Sequence, residues 1–238
     1  MFGGINALHC PQNRLYTSPA DNLPRFEFSD KDCAISGFLL HNRQRSIGQK
    51  RAGLLGDIFD HPLLYRHYPE IAQTPFELQW HRKFAGASFK SEKLYCKPGI
   101  ASDSTQLRRM FCHEAQHIVQ LIENFSNGGS SQAIFNEMAA RHRAATGERH
   151  PGIDTARKFR REAETRYLNL PGEKEAYDAE HRLDWDDAQR AATPPVNARL
   201  SDGADGVYFA PRETGMNSRM ALAYFSKMRR RLLKAEVG

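Results

Sequence analysis

The chain has 238 residues, of which 40% are apolar and 26% charged, and its formal net charge is +6. This is enough apolar sequence for one domain with a core, and no repeat or low-complexity segment is present. Residues 1–20 lack the pattern of a signal peptide, and no stretch approaches the roughly 18 apolar residues of a membrane helix. We therefore expect one soluble domain over residues 1–238, beginning in the cytoplasm and without a membrane partner.

The four cysteines, Cys10, Cys33, Cys96 and Cys112, are scattered without a Cys-x-x-Cys pair. This spacing argues against a zinc knuckle and gives little support to a disulfide framework. We expect reduced, partly buried thiols.

The N-terminal part of the chain is predicted to be poor in regular structure. Three prolines within residues 1–35 limit regular structure there, apart from a short strand predicted at Phe26–Phe28. Residues Asp60–Pro62 then cap a short helix through Tyr65, and Pro69 opens another turn. A small sheet is predicted just before the next helix, from short apolar stretches at 76–80, 87–89 and 93–96.

A long helix is predicted to follow this sheet. Capping side chains lie between Ser102 and Thr105, and apolar residues then recur at three- and four-residue steps from Leu107 to Phe125. The segment Asn127–Gly129 ends the pattern.

This helix carries His113-Glu114-Ala115-Gln116-His117. Residues four apart lie on one helical face, so both imidazoles can reach a single ion. Glu114 lies beside such an ion, where its carboxylate can take a proton from a water acidified by zinc. The pattern therefore predicts a zinc hydrolase with His113 and His117 as ligands and Glu114 as general base.

A catalytic zinc needs a third protein ligand, and two downstream glutamates are candidates. We favour Glu173, 56 residues after His117, because it opens a helix in which Ala176 and Ala179 allow close packing on the zinc helix. Glu137, 20 residues after His117, is the alternative, since that gap suits a helix hairpin.

The C-terminal half is predicted to be mainly helical, with helices at about 131–146, 154–168 and 173–183. Tyr177 and His181, one and two turns beyond Glu173, are the candidates for stabilising negative charge in a transition state. A short helix follows from Trp185, then a loop over 196–216 with a possible strand at 207–209, and a last helix over about 217–235.

Several blocks together resemble the zincin core of the large polyvalent protein-associated metallopeptidase domain, known mainly from phage and mobile-element polyproteins. The blocks are Leu107–Phe125 closing on Gly128–Ser130, Arg25–Asp30, Gly56–Leu64 followed by Tyr68–Glu70, and Gly172–Ala176 ahead of Arg182 and Leu183.

The resemblance covers about residues 20–195 and implies an α+β zincin-like metallopeptidase. It implies zinc held by His113, His117 and Glu173, with Glu114 as base, a protein or peptide substrate, and a chain that is delivered into a host or packaged in a particle. The sequence departs from the family at Tyr177, Asp178 and Cys112, which leaves the zinc ligands unchanged.

One alternative from another class is a noncatalytic, zinc-stabilised binding module. Basic clusters at 43–51, 157–161 and 229–231 could follow a phosphate backbone, so a nucleic acid is a weaker partner expectation. Such clusters are more often exposed helix faces. An intact Glu114 favours the enzyme, because a purely structural site needs no base.

Overall fold

The structure is a computed structural model, and it describes most of the chain up to residue 195. The described residues are 1–4, 14–18, 21, 23–27, 29–36, 51–78, 86–88, 93–96, 103–126, 128–193 and 195. The loop, strand and last helix predicted beyond residue 195 lie outside these residues, as do most of the first basic cluster and all of the last.

The described strands form three small sheets. In chain order they are β1 (Phe2–Gly3), β2 (Arg14–Thr17), β3 (Pro24–Glu27), β4 (Ala34–Ile35), β5 (Arg51–Leu54), β6 (Phe59–Asp60), β7 (Pro75–Leu78), β8 (Gly86–Ser88) and β9 (Lys93–Cys96). Their orders are β1-β3-β2, β4-β6 and β5-β7-β9-β8, and only β7 and β9 run parallel. The last of these sheets contains the three strands that the sequence predicts before the long helix.

The N-terminal sheet corrects the expectation of little regular structure over residues 1–35. Strands β2 and β3 pair in antiparallel register from Arg14 opposite Glu27 to Thr17 opposite Pro24. Pro24 is the first residue of its strand, a position where the missing N–H is tolerated. The prolines limit the length of these strands without preventing their pairing.

Seven α-helices are described, and most follow the sequence pattern within two residues. They are α1 (Pro62–His67), α2 (Pro69–Ala72), α3 (Ser104–Ile122), α4 (Ser131–Thr146), α5 (Ile153–Leu168), α6 (Pro171–His181) and α7 (Asp187–Ala192). Asp103 caps α3 by accepting the backbone N–H groups of Thr105 and Gln106. The described part of the chain is thus α+β, with small sheets before α3 and helices after it.

Helix α3 is the centre of the core. Twelve of its 19 residues are buried, and every residue from Phe111 to Leu121 is among them. One face contacts aromatic residues of the sheets, since Phe111 packs against Phe59 and Phe76 with ring centroids 5.4 and 5.5 Å apart. Another face packs on α6, where Ala176 and Ala179 are fully buried.

Buried ion pairs join the N-terminal strands to the C-terminal helices. Arg182, at the end of α6, donates to both carboxylate oxygens of Glu27 at 2.8 and 2.9 Å. Arg190 of α7 reaches the same carboxylate at 2.7 Å and Asp30 at 3.5 Å. Because an unpaired buried charge is costly, these contacts fix α6 relative to strand β3.

No described helix combines the length and apolarity needed to cross a membrane.

Candidate metal centre

Three side chains predicted as metal ligands converge between α3 and α6. The Nε2 atoms of His113 and His117 lie 3.2 Å apart. Oε2 of Glu173 is 3.6 Å from His113 Nε2, and Oε1 is 3.5 Å from His117 Nε2. All three residues are buried, and their donor atoms lie within 4.8 Å of one another.

These separations fit a zinc ion. Zinc takes nitrogen ligands at about 2.0–2.1 Å and carboxylate oxygens at about 2.0–2.2 Å, so two ligands of a tetrahedral site lie about 3.3 Å apart. The three observed donor separations are within a few tenths of an ångström of that value. The donor set of two imidazoles and one carboxylate also suits zinc, and it leaves a fourth position for water.

A hydrogen-bond relay fixes the tautomer of His117. Its Nδ1 is 2.9 Å from Gln120 Oε1, while Gln120 Nε2 donates to Gly172 O at 2.9 Å and to Glu175 Oε2 at 2.8 Å. Both neighbours of the amide nitrogen are acceptors, so Oε1 must face His117 and accept its Nδ1–H. The lone pair of Nε2 therefore points to the cluster.

The relay continues to the N-terminal sheet through Arg25. Its Nε donates to Glu175 Oε1 at 2.7 Å, and its Nη2 donates to Asp21 at 2.7 Å. Glu175 is buried, which raises its pKa, although the charge of Arg25 opposes this rise. The candidate metal ligand His117 is thus oriented by Arg25, 92 positions earlier in the chain, through Glu175 and Gln120.

Glu180 lies beside His113, with one of its carboxylate oxygens 3.5 Å from Nδ1. Burial lowers the pKa of His113, but the neighbouring carboxylates of Glu173 and Glu180 outweigh it and raise the pKa to about 9. Without a metal, the cluster therefore holds a proton, which keeps the two close Nε2 lone pairs from repelling each other.

Glu173 is held as a carboxylate. Burial raises its pKa, but the two histidines outweigh that effect and hold the pKa well below its usual range. Its Oε1 accepts the backbone N–H of Gly129 at 3.0 Å, whereas Oε2 is buried and makes no hydrogen bond. A buried carboxylate that lies beside two imidazole nitrogens and has one orphaned oxygen indicates a cation site.

Gly128 covers the cluster at close range. A Cβ atom at this position would overlap Glu173 Oε1 and would come within 2.5 Å of His117 Cε1. The sequence marks this residue as part of a helix stop and of one block of the family resemblance. The structure adds that its lack of a side chain lets the backbone approach the ligands.

Glu114 lies on α3 beside the first ligand and is 9% exposed. Its negative charge contributes, after the larger effects already given, to the raised pKa of His113. The Glu114 carboxylate is therefore close enough to influence the three donor residues, although it is not one of them.

The remaining predicted site residues are Tyr177, His181 and Glu137, and of these Tyr177 contacts a residue of the cluster. Tyr177 packs on His113 with ring centroids 4.6 Å apart. His181 is on the exposed end of α6, where its Nδ1 is 2.6 Å from Tyr177 O. Glu137, the alternative ligand, lies on α4 and pairs with Arg141. It is not among the close donors in the described chain.

Three residues at the site were not expected from the sequence. Gln120 is three residues beyond His117 and Glu180 is seven beyond Glu173, so helical spacing could have indicated both. Tyr167, near the end of α5, had no such signal. Burial raises its pKa, and the nearby Glu173 carboxylate raises it further, so its hydroxyl stays protonated.

Comparison with protein-family models, with curated proteins and with solved structures finds no match to this chain. The site is therefore interpreted from its own geometry.

Proposed function

We propose that this chain is a zinc-dependent metallopeptidase of the zincin type, in which His113, His117 and Glu173 hold the metal. The observation that carries the proposal is the buried Glu173 carboxylate, with Oε2 orphaned, beside two imidazole nitrogens 3.2 Å apart. Glu114 beside them separates a hydrolytic site from a purely structural one, because a structural zinc has no use for a base.

The chain's own residues supply the proton transfers. Zinc in this site supplies Lewis acidity, which acidifies a water molecule and polarises a carbonyl group. The Glu114 carboxylate takes a proton from the attacking water and delivers it to the departing amine. One water is consumed, the peptide C–N bond breaks, and a carboxylic acid and an amine are released.

We infer that two tyrosines near the cluster can act on the developing negative charge. Tyr177 contacts the His113 ring, and Tyr167 lies close to Glu173. The pKa of each is raised, by burial first and by the charge of Glu173 second, so each keeps a hydroxyl proton to donate. Such a donor offsets charge on the carbonyl oxygen as water adds.

The test compares Glu114→Gln with the unchanged chain. The variant keeps its shape and all three donors, so it should retain one zinc per chain by elemental analysis after dialysis. Cleavage of a peptide library, followed by mass spectrometry, should fall by about 10²–10⁴-fold because the base is lost.

Equal turnover by Glu114→Gln would refute this mechanism. A chain that holds zinc but cleaves nothing, whether Glu114 is present or not, would instead support the noncatalytic binding module.

A further inference from the structure

A second cluster of reactive side chains lies on another face of α3. Cys112 is fully buried and Cys33, just before β4, is 5% exposed. Both are free thiols and both belong to the same hydrophobic core. Helix α3 packs against β4. The Cys33 backbone N–H donates to Asp30 O at 3.0 Å, and an Asp30 carboxylate oxygen lies within 4.8 Å of Cys112 Sγ, so both cysteines adjoin Asp30 and their side chains interact.

The neighbouring polar groups are already engaged. His61 Nδ1 accepts the backbone N–H of Leu64 at 3.3 Å, so its Nε2–H donates to Asp30 Oδ1 at 2.7 Å. The other oxygen of Asp30 accepts from the amino group of Met1 at 2.6 Å and lies 3.5 Å from Arg190.

This arrangement argues against a metal here. The donor atoms of Asp30, His61 and Cys112 do lie within 4.8 Å of one another. However, the Nδ1 lone pair of His61 accepts a backbone N–H, and the Asp30 carboxylate is shared among cations. A metal would have to break these contacts, whereas the two thiols need only each other.

We propose that Cys33 and Cys112 form a disulfide bond on exposure to a disulfide oxidant, and that this bond links helix α3 to the N-terminal segment. Cys33 reacts first because it is the more exposed thiol. The hydrogen bond with Cys112 outweighs burial and, with Arg108, lowers the pKa of Cys33 to about 7, which favours its thiolate.

The exchange balances with glutathione disulfide as the oxidant. The Cys33 thiolate attacks one glutathione sulfur, the glutathione S–S bond breaks, and one glutathione leaves as thiolate. Cys112 Sγ then loses its proton and attacks Cys33 Sγ, the mixed S–S bond breaks, and the second glutathione leaves. The two thiol protons pass to the two glutathione thiolates, and the two electrons reduce the oxidant.

The bond would stabilise the fold without consuming a zinc ligand. It joins residues 79 positions apart, so it restricts the unfolded chain strongly, and we expect Tm to rise by about 5–10 °C. Neither sulfur belongs to the His113, His117 and Glu173 set, so zinc content should not change. The inference is therefore independent of the proposed peptidase activity.

The test uses the full chain with Cys10→Ser and Cys96→Ser, which leaves only this pair of thiols. The reduced protein is brought to equilibrium in glutathione redox buffer, both as folded protein and by refolding from urea. Acid quenching, trypsin digestion and mass spectrometry follow, and Tm is measured on the undigested sample. The expected result is one linked peptide containing both cysteines, with the higher Tm.

The matched control adds Cys33→Ser and should show neither the link nor the shift in Tm. Cys112→Ala serves as a second control that keeps the core apolar. Glutathione adducts without a link, or unlinked thiols after both native incubation and refolding, would overturn the proposal. A second zinc per chain that protects Cys112 from a thiol reagent would also overturn it, in favour of a metal held with Asp30 and His61.

Discussion

At the scale of single residues, the donor cluster depends on groups that orient the ligands. His117 is held by the Gln120 amide, and that amide is held by Glu175 and by the Gly172 carbonyl. Removing partners of this kind typically lowers the affinity of a metal site by about 10–100-fold. The first predictions test these groups.

Gln120→Ala should lower zinc affinity by about 10–100-fold, because His117 loses the acceptor that fixes its tautomer. The measurement is competition with a chromophoric chelator. Gln132→Ala, at an exposed position of α4, is the matched control and should bind zinc as tightly as the unchanged chain. Equal affinities for both variants would show that the relay does not act on the metal.

Glu173→Ala should lose zinc after dialysis, whereas Glu137→Ala should keep one zinc per chain. Glu173 provides the buried carboxylate of the cluster, and Glu137 pairs with Arg141 on an exposed helix. Elemental analysis of both variants decides between the two ligands proposed from the sequence. Loss of zinc from Glu137→Ala alone would reverse the assignment.

Zinc uptake should release about one proton at pH 7. The pKa of His113 is raised to about 9 in the metal-free protein, so its imidazole is protonated at pH 7 and zinc must displace that proton. Apparent affinity should fall about tenfold for each pH unit below about 9. Calorimetry in two buffers of different ionisation enthalpy measures the protons released, and a value near zero would contradict the prediction.

At the scale of elements, the site depends on how closely α6 approaches α3. The side chains of Ala176 and Ala179 are fully buried at that contact, and Glu173 lies about one turn before Ala176 and nearly two turns before Ala179. A larger side chain there must move α6, since a packed interior has no spare volume.

Ala179→Leu should therefore destabilise the fold by about 1–3 kcal/mol and weaken zinc binding. Ala145→Leu, on the exposed end of α4, adds the same atoms without a packing conflict. Urea unfolding and zinc competition on both variants check the prediction. A full-affinity Ala179→Leu variant would show that the contact tolerates a shift of α6.

At the scale of the whole molecule, buried ion pairs connect the two ends of the described chain. Burial raises the pKa of Asp30, but the amino group of Met1, His61 and Arg190 outweigh it and lower the pKa to about 2. The pKa of an Asp in the unfolded chain is about 3.9. The stabilisation is therefore present above about pH 4 and is lost as the pH falls toward about 2.

Asp30→Asn should accordingly cost about 2 kcal/mol of unfolding free energy at pH 7 and less near pH 2, where the unchanged chain has lost the same stabilisation. Urea unfolding at several pH values measures the difference. Asp154→Asn, whose side chain is 97% exposed, is the control and should change little. A cost that does not depend on pH would mean that packing, not charge, is lost.

The sequence by itself determined the local features of this protein. Helix α3, its two histidines on one face, the capping stretch at its start and the following helices all depend on spacing within a few turns, and the sequence records that spacing directly. The same holds for the three strands before α3. The small residues that follow Glu173 also favour it over Glu137 as the third ligand.

Only the tertiary structure decided which distant groups meet. It brought Glu173 to the histidines, joined Arg25 to the metal ligand through Glu175 and Gln120, and placed Cys33 against Cys112. It also paired strands in the N-terminal segment, for which the prolines predict little regular structure. The physical reason is that periodicity specifies which face a residue occupies, whereas the path of the chain between elements decides what that face contacts.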